Sequence, residues 1–436
     1  LPHSPYKILE QKLALAEAAL RINGISVDSP STDSDPWNHG LTLTSAPEDW
    51  DDYDKDLKPR KEANRHGEIL EYNKKTGEFE FHGHTSYMTF LDEARKLYQP
   101  EKHPGIEIRP GITIKTGKPS TAVLDVLHNS SFFQCRASLS PNKHRGVPDY
   151  SSFPACLFLE SYFNTIHFLH PIVFEAATRE IARRLWQHGS TPYLAPFDAL
   201  YFAVLSMGAL THNWEEGVIG GMGRFEWSRL FFSQAEAAIG SPGSQNNIAI
   251  VQAAYIMGKI CQFELNLPLA YSYLGIATRV ALSLGLNRNL NPHTDVTSAE
   301  RRHRIDSQTW WAVYSFEIEL SFALGRPDTL GDDSYHSRIL QPVGDTEDSI
   351  VSLMLPLARM IRKVSPTIYL DHLNITEQLQ RTVQIEREMQ SWLEEIPQRF
   401  QPLLGRWTES ESCLFGAPWI RMQKFSLAFR MFAKCP

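Results

Sequence analysis

Cysteine is scarce and shows no pairing pattern. Cys135, Cys156, Cys261, Cys413 and Cys435 are widely spaced, odd in number, and form no CxxC pair. That spacing excludes a disulfide framework and the usual structural zinc site, and it fits a reducing compartment. An excess of basic charge is missing too: 43 basic against 50 acidic residues leave a net charge of -7. Such a chain gains no long-range pull toward nucleic acid, so any DNA affinity has to come from a local patch or from another part of the protein. No run approaches the roughly eighteen uninterrupted apolar residues of a membrane-spanning helix, so no membrane partner is expected. The start does not read as a signal peptide.

Motifs of chemistry are equally thin. There is no His-Glu-x-x-His and no Gly-x-Ser-x-Gly. The glycine-rich stretch Gly217-Val-Ile-Gly-Gly-Met-Gly-Arg224 lacks a Lys-Ser/Thr pair and follows no strand, so it reads as a helix–helix loop rather than a phosphate cradle. His167 and His170 stand three apart on an expected helix, and His82 and His84 flank Gly83. Without companion ligands both pairs read better as hydrogen-bonding side chains than as metal ligands. No catalytic, cofactor-binding or metal-binding residue is assigned, and no enzyme activity is expected. The basic cluster Arg301-Arg302-His303-Arg304 lies in early turns of an expected helix, where cations oppose the helix dipole unless acids pair with them. Glu300, Asp306 and Glu317 are the candidate partners.

What the sequence does have is apolar bulk, 42% hydrophobic and 11% aromatic over 436 residues, enough for a large core. The reading is an all-α fold, a large multi-helix domain with a small N-terminal β-hairpin. Helices are expected from Phe153 toward His170, then to about Trp186, and over 197–210, 225–238, 248–263, 269–286, 298–324, 355–364, 376–393 and 419–434. Ser298 is the expected cap of the 298–324 helix, Gly325 and Pro327 its stop, and Pro356 is expected in a first turn. Glu68–Tyr72 and Glu78–Phe81 around Gly77 read as a hairpin, and 105–150 as loop. Tyr6, Leu9, Leu13, Ala16 and Leu20 form one stripe, either a short dimerising coil or a surface helix. The organisation read is 1–24 coil, 25–67 linker or arm, 68–150 hairpin and loops, and 151–436 helical domain. Because Leu1 and not Met opens the chain, the expectation is a piece of a longer protein.

Three pieces of sequence carry a family resemblance. They are Val251-Gln-Ala-Ala-Tyr255, then Ala270 to Arg288 (AYSYLGIATRVALSLGLNR), then Glu300-Arg-Arg with Trp310-Trp-Ala-Val-Tyr314 and Leu324-Gly-Arg-Pro327. In order and spacing they resemble the middle homology region of fungal zinc-cluster transcription factors, with the core over 251–330. Weaker matches are His82-Gly-His-Thr-Ser-Tyr87, Leu159-Glu-Ser-Tyr-Phe163 with His170-Pro-Ile172, and the 6–20 stripe. The signature positions are Gln252, Gly275, Arg279, Gly285, Arg288, Arg301, Arg302, Trp310, Trp311, Glu317, Gly325, Arg326 and Pro327. The chain departs from the pattern at Glu317, where the family usually has Asp, and at Asn287, where it often has His. The six clustered cysteines that hold two zinc ions in the family's DNA-binding module are absent from this chain.

The resemblance implies a nuclear regulatory domain that controls a DNA-binding zinc cluster carried elsewhere. It also implies a small-molecule effector, a homodimer, and coactivator or corepressor partners. Two other functions stay open, a structural dimerisation or coactivator module without ligand, and an enzyme with a helical pocket. A mid-helix glycine is costly, so Gly275 is expected at a close helix crossing beside Ala277, Ala281 and Gly285. Trp310 or Trp311, but not both, is expected to face the core. Arg326 is expected to cap carbonyls or pair with an acid.

Overall fold

The computed structural model describes residues 68–73, 78–91, 106–109, 112–115 and 153–396, apart from 193, 216, 241–245, 290–295, 341–349 and 371–373; at 71–73, 78–79, 106–109, 112–115, 296–303, 370 and 375 it describes the backbone alone. The 6–20 stripe and the 419–434 helix lie outside the described residues.

Four strands form one sheet in the order β2-β1-β4-β3: β1 (Glu68–Asn73), β2 (Glu78–His82), β3 (Ile106–Arg109) and β4 (Ile112–Lys115). β1 and β2 make the expected antiparallel hairpin. The loop reading of 105–150 is corrected in part, because β3 and β4 form a second hairpin and β4 runs parallel to β1. Each of these strands is only four residues long, too short to show an alternation by itself, and strand addition to β1 is a long-range pairing.

The rest is helical. The described elements are α1 (Phe153–Thr165), α2 (Glu175–His188), α3 (Ala195–Thr211), α4 (Arg224–Ile239), α5 (Ile248–Phe263), α6 (Leu267–Ser283), α7 (Val296–Leu324), α8 (Ile350–Val364) and α9 (Ile375–Glu395). A π-helical turn, Ser365–Leu370, follows α8. α3 and α5 are apolar all round and lie at the centre, with Ala199–Ala209 and Ala249–Cys261 buried. α1, α4 and α5 pack on α3; α6 packs on α5 and α7; α8 packs on α7 and carries α9. None of the described helices is long and apolar enough to cross a membrane.

Local signals set most helix ends. Asn247 caps α5 by accepting from Ile250 N at 3.0 Å, and Asn374 with Glu377 makes a capping box at α9. Between α5 and α6 a single joint does both tasks. Leu265 N donates to Gln262 O and Asn266 N to Cys261 O, the paired bonds of a Schellman motif, while the Asn266 side chain caps α6 through Leu269 N. The left-handed residue there is Leu265, φ 61, rather than a glycine.

Two boundaries differ from the sequence reading. α7 starts at Val296, so Ser298 lies within the helix and is not its cap. α8 starts at Ile350, which puts Pro356 inside the helix. Burial of Ile350, Val351 and Leu355 against the core holds that first turn despite the missing N–H.

Candidate functional site

The three signature pieces meet where α5, α6 and α7 pack together and where the chain leaves α7. Gln252 of α5 is buried. Its Nε2 donates to Ile172 O at 2.5 Å and to Thr309 Oγ1 of α7 at 3.3 Å. The turn after His170-Pro171 is thereby tied to both helices. His170 is buried beside it, with Nδ1 3.1 Å from the Tyr255 hydroxyl, and His167 Nε2 lies 2.9 Å from Val173 O. Burial pushes both imidazoles below their ordinary range, so they sit in the fold as neutral hydrogen-bonding rings.

Both tryptophans of α7 are buried, Trp310 at 0% and Trp311 at 3% exposure, which corrects the expectation of one. Adjacent positions point about 100° apart, but α7 is covered on more than one side. Trp310 stacks near His336, ring centroids 5.1 Å apart, while Trp311 lies under Arg359 of α8. Tyr314 donates to Asp333 at 2.7 Å, and burial followed by that carboxylate pushes its hydroxyl up to about 12. Arg362 of α8 grips the same loop, forked on Asp328 at 2.9 and 3.1 Å and bonded to Asp333 at 2.6 Å. The bidentate geometry makes this a directional clamp between α8 and the segment after α7.

Glu317 is 1% exposed and sits between α6 and that loop. It accepts from Thr329 N at 3.0 Å, Thr329 Oγ1 at 2.8 Å and Thr278 Oγ1 at 3.4 Å. Burial raises its pKa, and the three donors oppose the rise. A candidate acid partner for the 301–304 cluster is therefore used elsewhere. The side chains of Arg301 and Arg302 lie outside the described residues. Asn287 is buried and donates to Tyr335 O at 2.9 Å, while Arg338 Nε donates to Leu286 O at 2.7 Å. A hydrogen-bonding side chain is what that position uses.

The glycines divide in a way the sequence did not indicate. Gly275 is half-buried in α6, and a Cβ built on it meets no described atom within 4 Å, so the expected close crossing is not there. Its buried neighbours Ala277 and Ala281 do face the core. The tight crossings belong to Gly208, where a side chain would overlap the Phe158 carbonyl, and to Gly258, where it would press on Phe316 and Ala270. Gly285 ends α6 at φ 65, with Gly285 N bonded to Leu282 O and Leu286 N to Ala281 O.

Gly325 ends α7 in the same way and does more. A Cβ on it would lie 2.5 Å from the carbonyl carbon and oxygen of Gly83, so two glycine backbones cross in contact. Around that crossing every residue of the His82-Gly-His-Thr-Ser segment is engaged. Gly83 N donates to Leu324 O at 3.2 Å and Thr85 Oγ1 to Phe322 O at 2.6 Å, satisfying carbonyls that a helix end leaves open. Ser86 Oγ accepts from Met88 N and Thr89 N and caps the short helical turn 87–91, and Thr89 Oγ1 returns to Gly83 O at 2.9 Å. His84 Nε2 lies 3.0 Å from Glu68 Oε1, which ties the turn to β1, and His82 is buried. Gly83 and Thr85 thus fasten this turn to the end of α7, and His84 fastens it to the sheet.

The signature cations take the surface. Arg279 and Arg288 are exposed, and Arg288 lies over Tyr335. Arg326 lies 4.9 Å over the Tyr271 ring, in place of the expected carbonyl cap or acid partner, and Pro327 is exposed behind it. Lys259 was missed on sequence. It is 2% exposed inside α5, its Nζ 3.6 Å from the Phe316 ring centroid, 3.0 Å from Gln262 Oε1 and 3.5 Å from Glu319. Burial lowers its pKa, and Glu319 opposes that shift. One cation in the unbroken apolar run of α5 was the available signal. Among the described residues no group of three or more His, Cys, Asp or Glu is placed to hold a metal ion.

Residues 159–352 match the fungal specific transcription factor domain. A transcriptional regulatory protein of Schizosaccharomyces pombe is 26% identical over 184 residues, 39% of this chain and 22% of that protein. Activator of stress genes protein 1 of Candida albicans is 25% identical over 193 residues, 36% of this chain and 19% of that protein. Transcription factor FBD3 of Fusarium pseudograminearum is 22% identical over 272 residues, 57% of this chain and 34% of that protein. The chain thus spans between about a fifth and about a third of the length of these relatives. No solved structure matches it. The elements just described, from within α1 to the start of α8, fill the matched span, somewhat under half of the chain, and over that span the chain is similar to the fungal specific transcription factor domain.

Proposed function

We propose that this chain is the regulatory region of a fungal transcription factor, acting in the nucleus, doing no covalent chemistry, and controlling a zinc-cluster DNA-binding module carried elsewhere in the protein. One observation supports this most directly. The buried polar residues of the signature, Gln252 and Glu317, are spent on joining helices to loops, an arrangement that transmits position and holds no reacting atom. The net charge of -7 fits a part that leaves DNA contact to another module. A small-molecule effector, a homodimer through the Leu9, Leu13, Ala16 and Leu20 stripe, and coactivator or corepressor proteins belong to the same proposal.

The test is tethering. The full chain, fused to an unrelated DNA-binding domain, should change the output of a reporter carrying that domain's sites. Output equal to that of the DNA-binding domain alone, in either direction and with the fusion shown to be folded and nuclear, refutes a regulatory role. Native mass spectrometry of the purified chain reads the dimer directly, with Leu13→Asp as the control expected to dissociate it.

A further inference from the structure

We propose that Thr329 is a phosphorylation site whose modification detaches the loop after α7 from Glu317. Residues 326–332 have no regular secondary structure, and Pro327, Thr329, Gly331 and Asp332 are exposed. The segment reads Arg326-Pro-Asp-Thr329-Leu330, an exposed threonine, its hydroxyl turned inward onto Glu317, with a guanidinium three residues before it. An arginine-directed serine/threonine kinase, with an acidic pocket for that cation, is the enzyme class such a segment fits.

The consequence follows from what the hydroxyl does now. Thr329 supplies two of the three donors described on Glu317, through Oγ1 and N, and that carboxylate is 1% exposed. Transfer of the γ-phosphoryl group of a nucleoside triphosphate forms an Oγ1–P bond and breaks the bond from phosphorus to the nucleoside diphosphate. The hydroxyl proton leaves to the kinase's base. Oγ1 then has no proton to donate, and a group of charge about -1.5 to -2 stands against a buried carboxylate. Neighbouring charge does not reverse this, since Asp328 is acidic and Arg362 is already forked on Asp328 and bonded to Asp333. The detached residues lead directly back to Gly325, whose backbone carries Gly83, so the modification acts on the joint between sheet and helices. The inference rests on this loop geometry and stands apart from the transcriptional reading.

The experiment treats the purified full chain with magnesium, ATP and an arginine-directed kinase, maps the phosphate by peptide mass spectrometry, and follows amide hydrogen exchange before and after. A peptide spanning 322–333 serves as the positive control for the kinase. The expected result is phosphate on Thr329, with exchange over 326–330 faster by about tenfold or more, the factor for losing a hydrogen bond to a charged group. Thr329→Val should take no phosphate there. Glu317→Gln should be phosphorylated yet loosen much less, because the like charge is gone. A peptide that is modified while the folded chain is not overturns the site. Phosphate on Thr329 without faster exchange, or equal loosening in Glu317→Gln, overturns the mechanism.

Discussion

Gly325→Ala should destabilise the protein and Gly275→Ala should stabilise it, although both glycines stand in the same family signature. At Gly325 two penalties combine. Its φ of +68 is a conformation in which a Cβ costs about 1–2 kcal/mol. That Cβ would also lie 2.5 Å from backbone atoms of Gly83, which cannot rotate aside as a side chain can. The crossing has to open, at the expense of Gly83 N→Leu324 O and Thr85 Oγ1→Phe322 O, each contributing about 0.5–1.5 kcal/mol. A loss of about 2–5 kcal/mol follows. Gly275 has helical geometry and open space, so alanine relieves the entropic penalty of glycine and stabilises by about 0.5–1 kcal/mol. Urea unfolding followed by circular dichroism measures both, and the melting temperature moves by about 2–4 °C per kcal/mol for a body of roughly 150–250 residues. Two findings would refute the reasoning: a silent Gly325→Ala, or a Gly275→Ala that loses about 1 kcal/mol or more, the size of the glycine-to-alanine difference in a helix interior. The first would mean the glycine crossing is not formed in solution. The second would restore a close neighbour at α6.

Four further outcomes are expected. Leu265→Gly should raise the urea midpoint, with a gain of about 1 kcal/mol, because Leu265 holds φ 61 at the end of α5 while 38% exposed. Trp310→Ala and Trp311→Ala should each cost about 3–5 kcal/mol in the same assay, as both rings are buried; a surface-like loss at either one would place that ring outside the core. Glu317 has a folded-state pKa above its ordinary 4.5, so its burial opposes folding most when it is ionised. The stability of Glu317→Gln relative to wild type should therefore be greatest at neutral pH and shrink as pH falls toward and below that value; a difference independent of pH would show the carboxylate is not buried. For His170, held below its ordinary 6.5, the sign is opposite: its neutral form stabilises the fold above that pH and the contribution is lost on acidification, so His170→Gln should flatten the acid limb of the stability curve.

The sequence alone determined the helical class, the hairpin and most helix ends, because those signals are local. Asn247 and the Asn374–Glu377 pair stand within four residues of the amides they cap, and Gly325 stops α7 through its own backbone freedom, whereas Gly285, read as part of the small-residue stripe inside a helix over 269–286, instead ends α6. Asn266 and Pro268, cap and first turn of α6, are signals of the same local kind. Tertiary structure decided the rest. A strand of four residues acquires its meaning from a partner, so β3 and β4 could not be read before β1 was placed beside β4. The 100° between Trp310 and Trp311 forbids a shared face but not shared burial, since covering by both α8 and the His336 loop is a property of the packing. The glycines carry the same lesson most sharply. Mid-helix cost singled out Gly275, where an added Cβ would meet no described atom within 4 Å, and passed over Gly83, which meets Gly325 across the fold. Two backbones approach that closely only when both lack a Cβ, and nothing local to either residue records which partner, some 237 positions away for Thr85 and Phe322, the chain will bring to it.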